Sequence, residues 1–169
     1  MKDRIYLIGF MGAGKTTVGK KLADVLGYQF IDLDDYFEEH YKIDIQGFFD
    51  KYGEELFRNL EYERLLKTFE MKNVVVATGG GTPCYHDSID EINKNGVSVY
   101  LEMTPAAIAD RLINAVKKRP LLEGRTGDEL IKYIETKLDE RLAYYEKAHL
   151  TVDGVGVDLK KLVESLEQK

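Results

Sequence analysis

Apolar residues along this chain fall into two patterns that alternate. Short continuous runs make up the first: Ile5-Tyr6-Leu7-Ile8, Val74-Val75-Val76-Ala77 and Val97-Ser98-Val99-Tyr100-Leu101. Such β-branched, mostly apolar runs predict strands buried on both faces. Strands are expected to begin near Arg4, Tyr28, Val74, Val97 and His149. Between them apolar residues recur at helical spacing. Val18, Leu22, Val25 and Leu26 lead up to Gly27, a natural helix stop. Ile45, Phe48, Phe49 and Tyr52 form a second stripe, and Leu56, Leu60, Leu65, Leu66 and Phe69 a longer one after Gly53. Thr104-Pro105 reads as an N-cap with proline at the first helical position. Leu130, Ile134, Leu138 and Leu142 make another stripe, and Leu159, Leu162, Val163 and Leu166 the last. Strands alternating with helices predict an α/β fold: a parallel sheet, right-handed crossovers and helices on both faces. Ligands of such sheets bind beyond the C-terminal ends of the strands.

Two segments break the alternation. Residues 34 to 72 hold about three helical patterns, more than one crossover needs, so part of this span (about 34–62) is expected to form a substrate-binding insertion. Residues 116 to 127 are basic, contain glycine and have little periodicity. They read as a loop between two helices and a lid candidate, of the kind that closes over a phosphoryl-transfer site and excludes water.

The strongest chemical signal lies between the first strand and the first helix. Gly9-Phe10-Met11-Gly12-Ala13-Gly14-Lys15-Thr16 matches the phosphate-binding pattern G-x-x-x-x-G-K-[ST] in its required strand–loop–helix context. Glycines let backbone N–H groups turn inward around phosphate oxygens, and the helix N-terminus adds positive partial charge. Gly12, Ala13, Gly14, Lys15, Thr16 and Thr17 are therefore candidate ATP contacts. Lys15 reaches the β- and γ-phosphates in such loops, and the Thr16 hydroxyl ligates Mg²⁺.

Acids follow the second strand in Ile31-Asp32-Leu33-Asp34-Asp35. Asp32 and Asp34 are expected to alternate about the strand end and point the same way. One carboxylate could assist Mg²⁺ and the other orient or deprotonate an acceptor hydroxyl. Capping of the next helix is the plainer reading of both. The third strand runs into Gly79-Gly80-Gly81, where ligand can approach backbone N–H groups closely. That strand ends in Ala77-Thr78 where a metal-supporting acid is common, which leaves Asp32 as the supplier. Arg58, Arg119 and Arg141 offer planar forks for carboxylate or phosphate, although composition alone favours solvated surface charges.

Composition narrows the partners. At 169 residues and 44% hydrophobic content the chain is expected to be one globular domain, 1–169. A net charge of -6 argues against a broad nucleic-acid surface. Local Arg and Lys must then hold any small anion. The single Cys84 forms no internal disulfide and fits a reducing cytoplasm. The apolar stretch at the start is too short for a signal peptide or membrane span, so no membrane partner is expected. His40, His86 and His149 lack metal-ligand spacing, and the eleven tyrosines read as packing residues.

Taken together, the chain resembles the shikimate kinases. The resemblance rests on residues 9–19, on Phe30-Ile31-Asp32-Leu33-Asp34, on Gly53-Glu54 with Phe57-Arg58 and Glu61, on Gly79-Gly80-Gly81, on Arg119-Pro120-Leu121-Leu122, and on Arg141 with Tyr145 and Ala148. It implies a three-layer P-loop fold with a five-stranded parallel sheet in order 2-3-1-4-5. It also implies transfer of the ATP γ-phosphate to the 3-hydroxyl of shikimate, with Mg²⁺, in a monomer. By position, Thr16 would ligate the metal and Asp32 support it through water. Asp34 would hydrogen-bond the reacting hydroxyl, and Arg58 and Arg141 would bind the shikimate carboxylate. Gly79, Gly80 and Gly81 would line the acceptor site, the last two contacting ring hydroxyls through backbone. Arg119 would approach the transferring group, and Arg111 would lie beside adenine, with the loop after Val152 on its other side. One stretch departs from the family pattern Gly-x-Ser-Ile-x-Glu-Ile-Phe: Lys42, Asp44 and Gly47 stand where glycine, serine and glutamate are usual. Two rivals remain in view. A gluconate kinase would share the loop, and a nucleotide switch would lack a small acceptor; Asn93-Lys94-Asn95-Gly96 lacks the aspartate of a guanine-binding motif.

Overall fold

Five strands, β1 (Arg4–Ile8), β2 (Gln29–Asp32), β3 (Val74–Ala77), β4 (Val97–Glu102) and β5 (Leu150–Asp153), form one sheet in the order β2-β3-β1-β4-β5. The computed structural model describes residues 3–115 and 124–169. Every neighbouring pair of strands is parallel, with Tyr6 of β1 in register with Val76 on one side and Ser98 on the other. The central strands β1, β3 and β4 are the apolar runs, and nearly every residue in them is buried. That is the behaviour of strands covered on both faces.

Successive β1 residues face opposite sides. Ile5 and Leu7 join Leu22, Val75, Val99, Ile108 and Leu162 in the larger core, beneath helices α1 (Lys15–Leu26), α6 (Pro105–Ile113), α7 (Gly127–Tyr145) and α8 (Leu159–Glu167). Tyr6 joins Leu33, Leu65, Val76 and Ile92 on the other face, covered by α2 (Leu33–Tyr41), α4 (Glu54–Thr68) and α5 (Ser88–Asn95). The three layers expected for a P-loop protein are present.

Small differences from the sequence reading have local causes. β2 begins at Gln29 because the Tyr28 N–H turns back to Ala23 O at 2.9 Å and closes the end of α1. Gly27 permits this wrap with its φ of 67°. β5 begins at Leu150, and the His149 N–H instead donates to Ser98 Oγ. α5 was not foreseen; its apolar anchors are Ile89 and Ile92, too few to register as a stripe. Residues 116–123 of the expected lid lie outside the described residues, and Gly127 at its far end opens α7 instead of belonging to a loop.

The insertion after β2 contains α2, α3 (Ile45–Tyr52) and α4. Phe37, Phe48 and Phe57 give it an aromatic core of its own, with ring centroids 4.8 Å and 5.1 Å apart around Phe37. The departure from the family pattern lies at the α2–α3 junction. Asp44 caps α3 by accepting from the Gly47 N–H at 2.7 Å, as the usual serine would. Gly47 has no carboxylate to return a bond to the Asp44 N–H, while Glu38 of α2 accepts from the Ile45 N–H at 3.0 Å and ties the two helices together. Lys42 ends α2 with φ 57°, a left-handed conformation that suits glycine. Its side chain is exposed. Lys42→Gly should therefore stabilise the protein by about 0.5–1 kcal/mol, the relief exceeding the added freedom of the unfolded chain. A thermal melt checks this, and a lower melting temperature would contradict it.

Candidate active site

The C-terminal edge of the sheet gathers the candidate residues. β1 delivers the phosphate-binding loop and β2 delivers Asp32. β3 delivers the glycine turn, which closes into a 3₁₀ turn at Thr82–Cys84. In the first loop Gly12 and Gly14 take positive φ. A Cβ on Gly14 would stand 2.9 Å from Arg111 Nη1, so only glycine lets the loop enter α1 here. Lys15 is buried at the throat of the loop, its Nζ donating to Gly9 O and Phe10 O at 2.8 Å each.

Asp32 has two roles at once. Its Oδ1 accepts from the Asp34 N–H at 3.1 Å and caps α2, and its Oδ2 accepts from Thr16 Oγ1 at 2.6 Å. The capping and the metal-supporting readings of this residue are thus compatible. Asp34 is not part of the strand. It lies in the first turn of α2, so strand alternation does not set its direction as the sequence reading supposed. The helix turn places it instead: Asp34 Oδ1 stands 2.9 Å from where a Cβ on Gly79 would be.

The same imaginary Gly79 Cβ would meet Glu61 Oε1 and Thr82 Oγ1, each at 2.9 Å. Glu61 is buried, accepting from Thr82 Oγ1 at 2.6 Å and from Arg58 Nη1 at 2.9 Å. Arg58 also pairs with Glu54 at 3.1 Å and lies over the Tyr85 ring at 4.3 Å. Its side chain is 12% exposed, unlike the solvated surface charge that composition favours. Burial works against the Arg58 charge, but Glu61, as charge and as acceptor, together with Tyr85 and Glu54 outweighs it and holds the guanidinium above its ordinary pKa. Arg58 and Arg141 flank the turn: a Cβ on Gly81 would be 2.7 Å from Arg58, and one on Gly80 would be 3.3 Å from Arg141. Arg141 lies over the Phe10 ring at 5.3 Å.

A cavity of about 630 Å³ runs from Gly14, Lys15 and Thr16 to Asp32, Asp34 and Gly80. Gly12 and Thr17 line it as expected. Ala13 does not; it is buried in the loop wall, its N–H bonded to Phe10 O. At the other end the cavity meets Arg111 and the loop after β5, at Gly154 and Val157. Arg111 ties these parts together, donating to Ala13 O at 3.0 Å and to Gly154 O at 2.9 Å. Arg119 lies outside the described residues. Cys84 is held as a thiol, since burial pushes it up to about 11 against the pull of Arg141 and Arg58.

Among the described residues no cluster of three or more His, Cys, Asp or Glu could hold a metal ion. Thr16 and Asp32 offer hard oxygen donors side by side in the cavity. That suits Mg²⁺, which takes one or two protein oxygens and completes its shell with phosphate and water. Glu61 and Thr82 were given no role from sequence, yet they fix Arg58. The i,i+3 spacing of Arg58 and Glu61 was the available signal.

The shikimate kinase family model matches residues 11–168. A shikimate kinase from Parabacteroides distasonis is 43% identical over 89% of this chain and 87% of its own length. The crystal structure of a shikimate kinase from Bacteroides thetaiotaomicron superposes with a TM-score of 0.95, at 38% identity and 99% coverage of each chain. A shikimate kinase from Acinetobacter baumannii in complex with shikimate superposes at 0.85, with 33% identity, covering 99% of this chain and 92% of that one.

Proposed function

The chain belongs to the shikimate kinase family and phosphorylates shikimate with ATP, and we propose that it does so with the residues gathered at this sheet edge. The observation that carries the assignment is the continuity of the cavity, which joins Lys15 and Thr16 of the phosphate-binding loop to Asp34 and Gly80. The N–H groups of the loop and Lys15 hold the ATP phosphates, with the base toward Arg111 and Gly154. Thr16 and Asp32 hold Mg²⁺, whose chemistry when bound is to neutralise phosphate charge.

The acceptor sits over the glycine turn. Arg58 and Arg141 take its carboxylate from two sides, and the backbone of Gly80 and Gly81 meets its ring hydroxyls. A carboxylate anchored by two forks leaves the ring one orientation, which directs the 3-hydroxyl toward the loop. Asp34 accepts the hydrogen bond of that hydroxyl and takes its proton as the new O–P bond forms and the bond from the γ-phosphorus to the bridging oxygen breaks, releasing ADP. Glu61 holds Arg58 in place through its bond of 2.9 Å. Arg119 is proposed to neutralise charge on the transferring group, and the lid span about 116–127 to cover it. Because one chain supplies every residue named, we propose a monomer acting in the cytoplasm on small molecules alone. No helix among the described residues is long and apolar enough to cross a membrane.

Arg141→Ala tests the acceptor side. Loss of a charge-assisted bond to carboxylate is expected to raise the KM for shikimate by about tenfold to a hundredfold. The KM for ATP should stay within about twofold of wild type, since uniform nucleotide binding is untouched. Steady-state kinetics in each substrate decide it, and an unchanged KM for shikimate would remove Arg141 from the site.

A further inference from the structure

Tyr145 belongs to the motif shared with the family, yet no step above uses it. It is the last residue of α7 and is fully buried. Its ring stacks on Tyr100 of β4 at 5.1 Å, in a cluster with Ile8 and Ile89. A ring needed only for this packing could be phenylalanine. The hydroxyl, however, donates to Gly80 O at 2.6 Å. Arg141, one helical turn earlier, stands beside the same phenol as a positive neighbour. Burial outweighs its pull and keeps the phenol above its ordinary pKa, so the hydroxyl retains the proton it donates.

We propose that Tyr145 is a positioning residue for the acceptor, its hydroxyl fixing the Gly80–Gly81 peptide beside Arg141. The peptide is planar and trans, so its C=O and N–H point in opposite directions. Holding Gly80 O toward Tyr145 therefore holds the Gly81 N–H toward the opposite side. Glycine has the widest backbone freedom of any residue, and an outside anchor narrows the directions in which such a turn presents an N–H. The aligned donor, with the Arg141 guanidinium beside Gly80, then meets the ring hydroxyls and carboxylate of one polyhydroxylated acid. This role rests on the acceptor-side reading of Gly81 and Arg141 given above.

The test is Tyr145→Phe, with steady-state kinetics in each substrate. The KM for shikimate is expected to rise by about tenfold, the cost of a strong neutral hydrogen bond, while the KM for ATP stays within about twofold. Tyr6→Phe serves as the control, because Tyr6 is also fully buried and bonds Thr68 Oγ1 at 2.9 Å, far from the turn. It should lower the melting temperature and leave both KM values unchanged. A folded Tyr145→Phe with wild-type KM for shikimate, or with both KM values raised equally, overturns the proposal. If Arg141→Ala leaves the KM for shikimate unchanged, the acceptor-side reading itself has failed. If Arg141→Ala raises it and Tyr145→Phe does not, the failure is that of Tyr145 alone. Should Tyr145→Phe not fold, the Tyr145 hydroxyl proton of the wild-type protein gives the readout by NMR. It is expected to shift when shikimate is added, and an invariant resonance overturns the proposal.

Discussion

Asp34→Asn is expected to lower kcat by about a hundredfold or more, the usual contribution of a positioned general base. Asparagine keeps the size of the side chain and its place in the first turn of α2. It loses the negative charge and the capacity to take a proton. Asp34 lines the same cavity as Lys15 and lies against Gly79, so it stands between the phosphate-binding loop and the acceptor turn. ATP binding should survive, because the Thr16–Asp32 bond is made without Asp34. The cap of α2 should survive as well, since Asp34 contributes only its backbone N–H to it. Turnover and nucleotide titration of the variant check both halves. Wild-type kcat would take Asp34 out of the mechanism.

Gly79→Ala is expected to be nearly as damaging, for a steric reason. The added methyl would sit 2.9 Å from each of Asp34 Oδ1, Glu61 Oε1 and Thr82 Oγ1. None of these oxygens is the loose end of an exposed chain: Glu61 and Thr82 are buried and bonded to each other, and Glu61 also holds Arg58. Relief of the clash must therefore move Asp34, Arg58 or the turn itself. Overpacking of this kind costs about 1–3 kcal/mol in stability. Misplacement of the acceptor groups should lower kcat/KM for shikimate by about a hundredfold. The KM for ATP should change little, because the methyl points away from the phosphate-binding loop. Kinetics of the folded variant check this, and a wild-type kcat/KM would show that the turn is roomier than the distances imply.

The elements that could be read in the sequence are those whose cause is local. The β-branched runs at Val74 and Val97 announce buried strands by themselves. Gly9 to Thr16 announces a phosphate site because strand, glycines and helix are contiguous. The sheet order and the meeting of Arg58, Arg141 and Gly79–Gly81 are set by packing across the fold, and only the resemblance to shikimate kinases reached them. Asp32 was legible as a candidate for two roles, but that it fills both depends on the Thr16 hydroxyl opposite. The place of Asp34 was reached for the wrong reason, since one helical turn and not strand alternation aims it. Glu61 and Tyr145 stand in the motifs shared with the family, but the sequence assigns neither a role. Each acts through another residue, and a burial pattern cannot distinguish a buried Tyr that packs from one that also anchors a carbonyl. Lys42, Asp44 and Gly47 depart from the family pattern, yet Asp44 still caps α3, as the usual serine would, and Glu38 bonds the next N–H of that helix.

The central claim is that this cleft transfers phosphoryl groups to shikimate and does not merely bind or slowly hydrolyse ATP. ADP formation with Mg²⁺ and ATP tests it most directly, with and without shikimate, and with gluconate and AMP as control acceptors. Strong stimulation by shikimate alone is the expected result. A folded, ATP-binding protein whose turnover is indifferent to shikimate, or which responds to gluconate instead, would contradict the account.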